Sequence, residues 1–399
     1  MEEKLKKVEH LILLVGGNPL PNAVAGELLV KPGGTITLIH SSDTFDIAKR
    51  LYRRFKNKTN VKLKEVKESN PVSIIQGVRE CLLEEDQSRT VGLNYTGGTK
   101  VMAVHAYREV EEWGRTKDVT LVFSYLDARK LEMVFDPINA GNSEQRVYIG
   151  RALKMNLEDL LLLHNWTLQQ SQSQPDLPKS SHALATLFAG NKDMLKKWKD
   201  WVGDSQNPHE PHDMPEEFEI DNNKIKNILI KEIQQKGKPK DWMGWLKGKW
   251  LEDFVMYSLI DANSEFSLGL HEIKYRITVQ GITHFEIDVI ALRGFQMFAL
   301  SCSTAAFNPE KKKETKQELK LKLFETYVRA QQLGGDEARV ALVGFIDDPN
   351  SLEQEMQRDV DPAGRIKVFG WRHLSNLKLH LYNWIRSQAG NDPDLSNKE

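Results

Sequence analysis

The chain has 399 residues, too many for one ordinary core, so two domains with a connector are expected. With 40% hydrophobic and 28% charged residues, a net charge of −1 and no apolar run long enough to span a bilayer, it reads as a soluble protein, and the charge balance argues against a wholesale nucleic-acid coat. Two cysteines, Cys81 and Cys302, can build neither a disulfide framework nor a four-thiolate zinc site, and the charged opening MEEKLKKVEH is unlike a secretory leader, so a cytoplasmic setting is expected.

In chain order, VEHLILLV (8–15) reads as a buried strand, followed by the breaker-rich turn GGNPLPN (16–22). AVAGELLV suits a helix, TITLIHSS (35–42) a second strand, and DTFDIAKRLYRRFK (43–56) an amphipathic helix capped by Asp43. NVKLKEV is a third strand and PVSIIQGVRECLLEE a helix opened by proline. TVGLNYTGG is a fourth strand with its turn, and TKVMAVHAYREVEEW a helix that sets Met102, Ala106 and Val110 on one face. VTLVFSYLD and LEMVFDP follow as strands. Strands alternating with helices predict a parallel sheet covered on both sides, a Rossmann-like α/β unit over 1–150. Its ligands should sit outside the carboxyl ends of the strands, where GGNPLPN, HSSDT and NYTGGTK all lie.

Residues 151–239 read as a helical connector with polar linkers: ALKMNLEDLLLLHNW as helix, TLQQSQSQPDLPKSS as linker, HALATLFAGNKDMLKKWKDWVG as a helix pair. A second globular part is expected over 240–399. DWMGWLKGKWLEDFVMYSLI (241–260) reads as one long helix. LHEIKYRITVQG, THFEIDVIALRG and QMFALSCST then form a three-strand meander. A helix over 314–335 ends in a glycine pair, and ARVALVGFID, RIKVFGW and a closing helix complete the chain.

The stretch NYTGGTK has the grammar of a phosphate cradle. Gly97 and Gly98 let backbone N–H groups approach phosphate oxygens, Thr96 and Thr99 add hydroxyls, Lys100 adds charge, and the helix start favours an anion. The combination LLVGGNPLPN, HSSDT and LNYTGGTKVM resembles the CARF domain, the CRISPR-associated Rossmann-fold sensor. Asn94, Thr96, Gly97, Gly98, Thr99, Lys100 and Met102 match its N-x-T-G-G-T-K-x-M element. The resemblance implies binding of a cyclic oligoadenylate at a homodimer interface, a cyclic tetra-adenylate suiting the two-fold symmetry. By position, Gly17, Asn18, Ser42 and Thr44 are expected to line the same pocket.

FEIDVIA (285–291) places Glu286 and Asp288 two apart in a strand, hence on one face, where a divalent metal is the usual answer to their repulsion. Glu252 on the preceding helix, the meander and the following helix together resemble the PD-(D/E)xK nuclease core. A CARF domain joined to such a core resembles the cyclic-oligoadenylate-activated DNA/RNA nucleases of type III CRISPR systems. That resemblance implies Mg²⁺ or Mn²⁺ held by Glu252, Glu286 and Asp288, and a DNA or RNA substrate. The family's third strand ends in E-C-K, where this chain has Ser301, Cys302 and Ser303. A serine supplies neither charge. A projection of 314–333 at about 100° per residue puts Lys320 within the apolar arc and Lys322, Glu325 and Arg329 on the wet face. Lys320 is therefore expected to replace the missing lysine, with Glu286 and Asp288 as its catalytic partners. The alternative is a non-catalytic sensor whose degenerate nuclease-like domain binds nucleic acid or a partner. His209 and His212 lack a third ligand nearby, and Trp242, Trp245, Trp250, Cys302 and His105 are expected to pack.

Overall fold

The computed structural model describes residues 4–84, 88–137, 143–204, 209–215, 218, 225–281, 283–305 and 312–396. In the lysine-rich stretch KKKETK (311–316), Lys311 lies outside these.

The N-terminal alternation of apolar strand and amphipathic helix builds a mixed α/β layer. Strands β1 (Val8–Leu14), β2 (Val30–His40), β3 (Asn60–Glu65), β4 (Thr90–Asn94) and β5 (Thr120–Asp127) run parallel. Strands β6 (Glu132–Phe135) and β7 (Gln145–Tyr148) are antiparallel, giving the order β3-β2-β1-β4-β5-β6-β7. β7 was not expected, because QRVY buries only Val147 and carries no run of apolar residues. Helices α1 (Leu20–Leu29) and α2 (Phe45–Phe55) cover one face, α3 (Pro71–Glu84) and α4 (Lys100–Arg115) the other. On α4 the buried residues include Met102, Ala106 and Val110, the face expected from their spacing. The chain runs outward from β1 to β3 and returns to β4 on the far side of β1. Loops leaving β1 and β4 therefore diverge to opposite faces and open a crevice between them.

After the short α5 (Leu157–Leu163), Thr167–Gln172 forms strand β8 at the edge of a second sheet, pairing with β9 (Glu272–Gln280). These residues were expected as linker. As an edge strand with one partner and exposed glutamines, β8 needs no apolar alternation to hold its place, so its sequence gives no strand signal. Helices α6 (Pro178–Gly190), α7 (Lys192–Gly203) and α8 (Ile225–Lys236) follow. The expected continuous helix at 241–260 is interrupted by a π-turn over Trp245–Lys249 before α9 (Trp250–Phe266) begins. The meander continues from β9 through β10 (His284–Arg293) to β11 (Gln296–Ser303). Then come α10 (Lys312–Gly334), β12 (Arg339–Gly344), α11 (Pro349–Asp359), β13 (Ile366–Phe369) and α12 (Leu377–Ser387). β12 and β13 run parallel to β11, so the sheet reads β13-β12-β11-β10-β9-β8.

The two sheets share a core. Leu13 and Leu38 of the first sheet, Leu160 of α5, Leu323 of α10 and Ile277 of the second sheet belong to one buried cluster. The far face of the second sheet packs on α6 to α9 and α12, with Trp198, Trp245 and Trp250 fully buried there. Trp245 and Trp250 are thus core residues, as expected. No helix among the described residues is long and apolar enough to cross a membrane.

Candidate functional site

At the first crevice, the turns after β1 and β4 touch through glycines. A Cβ on Gly16 would lie 2.8 Å from Gly98 N, and one on Gly97 would lie 2.2 Å from Leu14 O. Gly98 has φ +73, a conformation glycine reaches without strain. Asn94 is buried and organises this turn. Its Oδ1 accepts from Thr96 Oγ1 at 2.8 Å and Thr96 N at 3.3 Å, and its Nδ2 donates to Ser124 Oγ at 3.1 Å. Thr96 Oγ1 in turn accepts from Leu126 N at 2.7 Å. Thr99 is the N-cap of α4, accepting from Met102 N at 3.2 Å and leaving Lys100 exposed beside the positive helix end.

The other expected pocket residues divide. Gly17 is exposed, with nothing within 4 Å of where a Cβ would stand. Thr44 Oγ1 accepts from Ser41 N at 3.0 Å, so it shapes the loop that presents the exposed Ser42. The Asn18 side chain turns away: Oδ1 caps Leu20 N at 3.0 Å and Nδ2 reaches Glu337 Oε2 at 3.4 Å in the second unit. Beside the crevice, Tyr95 donates to both Asp136 carboxylate oxygens, at 2.9 and 2.8 Å, and burial, followed by these bonds, raises its pKa.

In the second unit the pairing of β10 with β11 runs from Arg293–Gln296 to Val289–Leu300. Beyond it the strands part, and Asp288 stands in the fork. Its Oδ2 accepts from Cys302 N at 2.6 Å and Ser301 Oγ at 3.0 Å, and lies 3.3 Å from Lys322 Nζ. Lys322 also donates to the Cys302 carbonyl.

This corrects the expectation for Lys320. Its ammonium pairs with Glu355 of α11, as does that of Lys316; the two lysines, Lys316 foremost, hold the Glu355 pKa down to about 2. The buried stripe of α10 is Leu319, Leu323, Thr326 and Ala330, narrower than the projected arc, while Leu321 and Phe324 are 60% and 46% exposed. Lys320 and Lys322 flank that stripe on opposite sides, and Lys322 faces the acids.

Glu252 comes from α9. It is largely buried, and its pKa is pushed up to about 7 by burial and by the charge of Asp288, against the opposing pull of Arg276. Arg276 Nε donates to Glu252 Oε2 at 3.1 Å, and the same guanidinium pairs with Asp176 and Asp253. Arg276 has φ +50, a left-handed conformation that costs a non-glycine residue about 1–3 kcal/mol. The side-chain alternation of the hairpin switches beside it. Ile277 and Ile287 pack in the core shared with the first sheet, Tyr275 and Val289 in the opposite one.

Glu286 therefore does not join Glu252. It is exposed and borders a cavity of about 370 Å³ with Asp288, Ser301, Lys322 and Arg329. Glu252 lines a different cavity of about 630 Å³ with Lys322 and Ser303. Among the described residues no group of three or more His, Cys, Asp or Glu side chains is arranged to hold a metal ion. The expected three-carboxylate set is not assembled; Lys322 borders both cavities, the one with Asp288 and the one with Glu252. Of the residues set aside, His209 Nε2 lies 3.1 Å from Trp201 O, and His212 lies 3.3 Å from Asp213. Burial raises the Cys302 pKa.

No protein-family model matches the chain, and no curated protein matches it by sequence. Solved structures do. Protein VC1899 from Vibrio cholerae superposes with a TM-score of 0.71 at 15% identity, over 96% of this chain and 99% of that one. The fold is shared end to end. Can2 from Sulfobacillus thermosulfidooxidans, in complex with cyclic tetra-adenylate, gives 0.67 at 16% identity over 94% and 97% of the two chains. A type III CRISPR defence DNA nuclease activated by cyclic oligoadenylate gives 0.51 at 16% identity, over 85% of this chain and 46% of that chain.

Proposed function

We propose that the chain is a cyclic-oligoadenylate-activated, metal-dependent endonuclease of type III CRISPR defence, working as a homodimer in the cytoplasm. The first unit is read as a CARF-type sensor and the second as a PD-(D/E)xK-like nuclease whose lysine comes from α10. The observation that carries the reading is the fork: Asp288 held by Ser301 Oγ and Cys302 N, with Lys322 Nζ at 3.3 Å. The fold shared with Can2 and with a cyclic-oligoadenylate-activated DNA nuclease supports it.

On the sensor side, the crevice where Gly16–Gly17 meets Thr96–Lys100 offers backbone N–H groups, the Lys100 ammonium and a helix start to a phosphate. Exposed Val72, Val101 and Val104 at the starts of α3 and α4 give it an apolar border suited to a second copy of the chain.

On the nuclease side, Glu252 and Asp288 fit a two-carboxylate site for Mg²⁺ or Mn²⁺, completed by waters and substrate oxygens. Burial first, and the charge of Asp288 second, lift Glu252 to about 7, and a bound cation would favour its charged form. When bound, the ion neutralises the scissile phosphate and lowers the pKa of a water. Ser301 and the Cys302 N–H fix the Asp288 carboxylate in orientation. Lys322 spends two of its three donors on Asp288 and Cys302, leaving one for a phosphate oxygen or the attacking water.

The test is cleavage of plasmid DNA and labelled RNA with and without cyclic tetra-adenylate and Mn²⁺. Cutting only when both are present supports the reading. The missing third carboxylate, together with Ser301 and Ser303, favours a second reading, a non-catalytic sensor. That protein binds the ligand and leaves both substrates intact.

A further inference from the structure

We propose that the cleft between α2 and the α5–β8 turn is a subsite for single-stranded polynucleotide that feeds the Asp288–Lys322 fork; this rests on the nuclease reading above. The cleft measures about 470 Å³, and its lining includes Arg50, Arg53, Arg54, Lys58 and Trp166. Two of the cations are already matched. Arg54 pairs with Glu27 at 3.1 Å and Asp159 at 3.5 Å, and Lys58 with Glu27 at 2.9 Å. Arg50 commits Nε to Leu163 O at 2.7 Å, which fixes the side chain and leaves its terminal nitrogens. Arg53 is exposed. The cleft thus keeps a positive surplus that follows a phosphodiester backbone without reading bases.

The aromatic part gives the cleft a direction. Trp166 is half-buried and sets its ring against Phe285, centroids 4.9 Å apart. The Arg329 guanidinium lies 4.4 Å from the Phe285 ring. Phe285 and Arg329 line the cavity that holds Asp288 and Lys322. Cations, indole, Phe285 with Arg329, and the fork follow one another, and Phe285 precedes Asp288 by about 10 Å along β10. An indole beside phosphate-binding cations is the arrangement that stacks an unpaired base. A duplex hides its base faces and can use only the cations, so the chemistry favours a single strand.

The test uses the full-length Asp288→Asn protein saturated with cyclic tetra-adenylate, which keeps cleavage out of the measurement. Anisotropy of labelled oligothymidylate and oligouridylate of about 20 nucleotides reports binding, and the two oligomers separate DNA from RNA. Arg53→Glu is expected to weaken binding about tenfold and to lower the salt slope by about 0.7. Trp166→Ala is expected to weaken it about tenfold with the salt slope kept, and Trp166→Phe to restore most of it. Cyclic tetra-adenylate affinity stays unchanged in Arg53→Glu, a surface change that spares folding. Single-strand binding that ignores both Arg53→Glu and Trp166→Ala overturns the proposal. So does a parent protein that binds no single strand, or duplex binding equally sensitive to Trp166. The two claims fail separately. If wild type cuts nothing while the variants still lose binding, only the nuclease reading falls; if wild type cuts while the variants bind normally, only the subsite falls.

Discussion

Asn18 Nδ2 lies 3.4 Å from Glu337 Oε2, joining the turn after β1 to the 3-10 turn Gly335–Glu337 that follows α10, across 319 residues of sequence. The approach is tight: Gly335 has φ +63, and a Cβ there would stand 2.3 Å from Asn18 Nδ2. The helix that runs into this turn also carries Lys322. We predict that Asn18→Ala leaves cyclic tetra-adenylate affinity nearly intact in calorimetry but lowers ligand-dependent cleavage about tenfold, within the usual range of a coupling between sites. Equal losses in binding and cleavage place Asn18 in the pocket instead.

Glu337 is fully buried, and burial pushes its pKa up to about 7 from 4.5. The folded chain therefore holds a proton that the unfolded chain releases between these values. Stability should fall as pH rises from about 4.5 to 7, then level off. Thermal denaturation should show Glu337→Gln more stable than wild type at pH 8, by on the order of 3 kcal/mol, and equal to it at pH 4. A difference that does not change with pH contradicts this account.

Arg276 holds a left-handed backbone conformation and pairs with Asp176, Glu252 and Asp253, the last 0% exposed. Removing the guanidinium strands buried carboxylates, so Arg276→Ala should cost about 3–5 kcal/mol in a denaturant titration. A loss below about 1 kcal/mol shows that the cluster relaxes without it.

The two turn glycines should part company. At Gly97 a side chain collides with Leu14 O, whereas at Gly17 it meets nothing within 4 Å. Gly97→Ala is expected to lower the melting temperature through a loss of about 2 kcal/mol or more. Gly17→Ala should melt like wild type yet bind cyclic tetra-adenylate at least about tenfold more weakly, because the lost approach is to the ligand's phosphate. Unchanged affinity in Gly17→Ala removes that residue from the site.

The centre of the first sheet was legible because β1, β2, β4 and β5 carry apolar runs closed by glycine, proline or a polar turn, and GGNPLPN, HSSDT and NYTGGTK lie at strand ends by their order alone. β8 was not legible, since an exposed edge strand of threonine and glutamine carries no core-facing pattern. Asn18 looked like a pocket residue by position, but its partner Glu337 comes from the far end of the chain, which no local pattern reveals. The lysine missed by two positions for a packing reason. Projection set Lys320 within a broad apolar arc, yet the stripe that packs is Leu319, Leu323, Thr326 and Ala330, so Asp288 meets Lys322 from its other edge. Glu286 and Asp288 shared a face on paper; the left-handed Arg276 opposite breaks the alternation there.

The central claim is that α10 lends Lys322 to Asp288 for phosphodiester cleavage. Its most direct test compares Lys322→Ala and Lys320→Ala in single-turnover cleavage with cyclic tetra-adenylate and Mn²⁺ at saturation. The account predicts that Lys322→Ala loses about 100-fold or more in rate, while Lys320→Ala, which gives up only the Glu355 pair, cuts like wild type. Full activity in Lys322→Ala, or loss confined to Lys320→Ala, contradicts it.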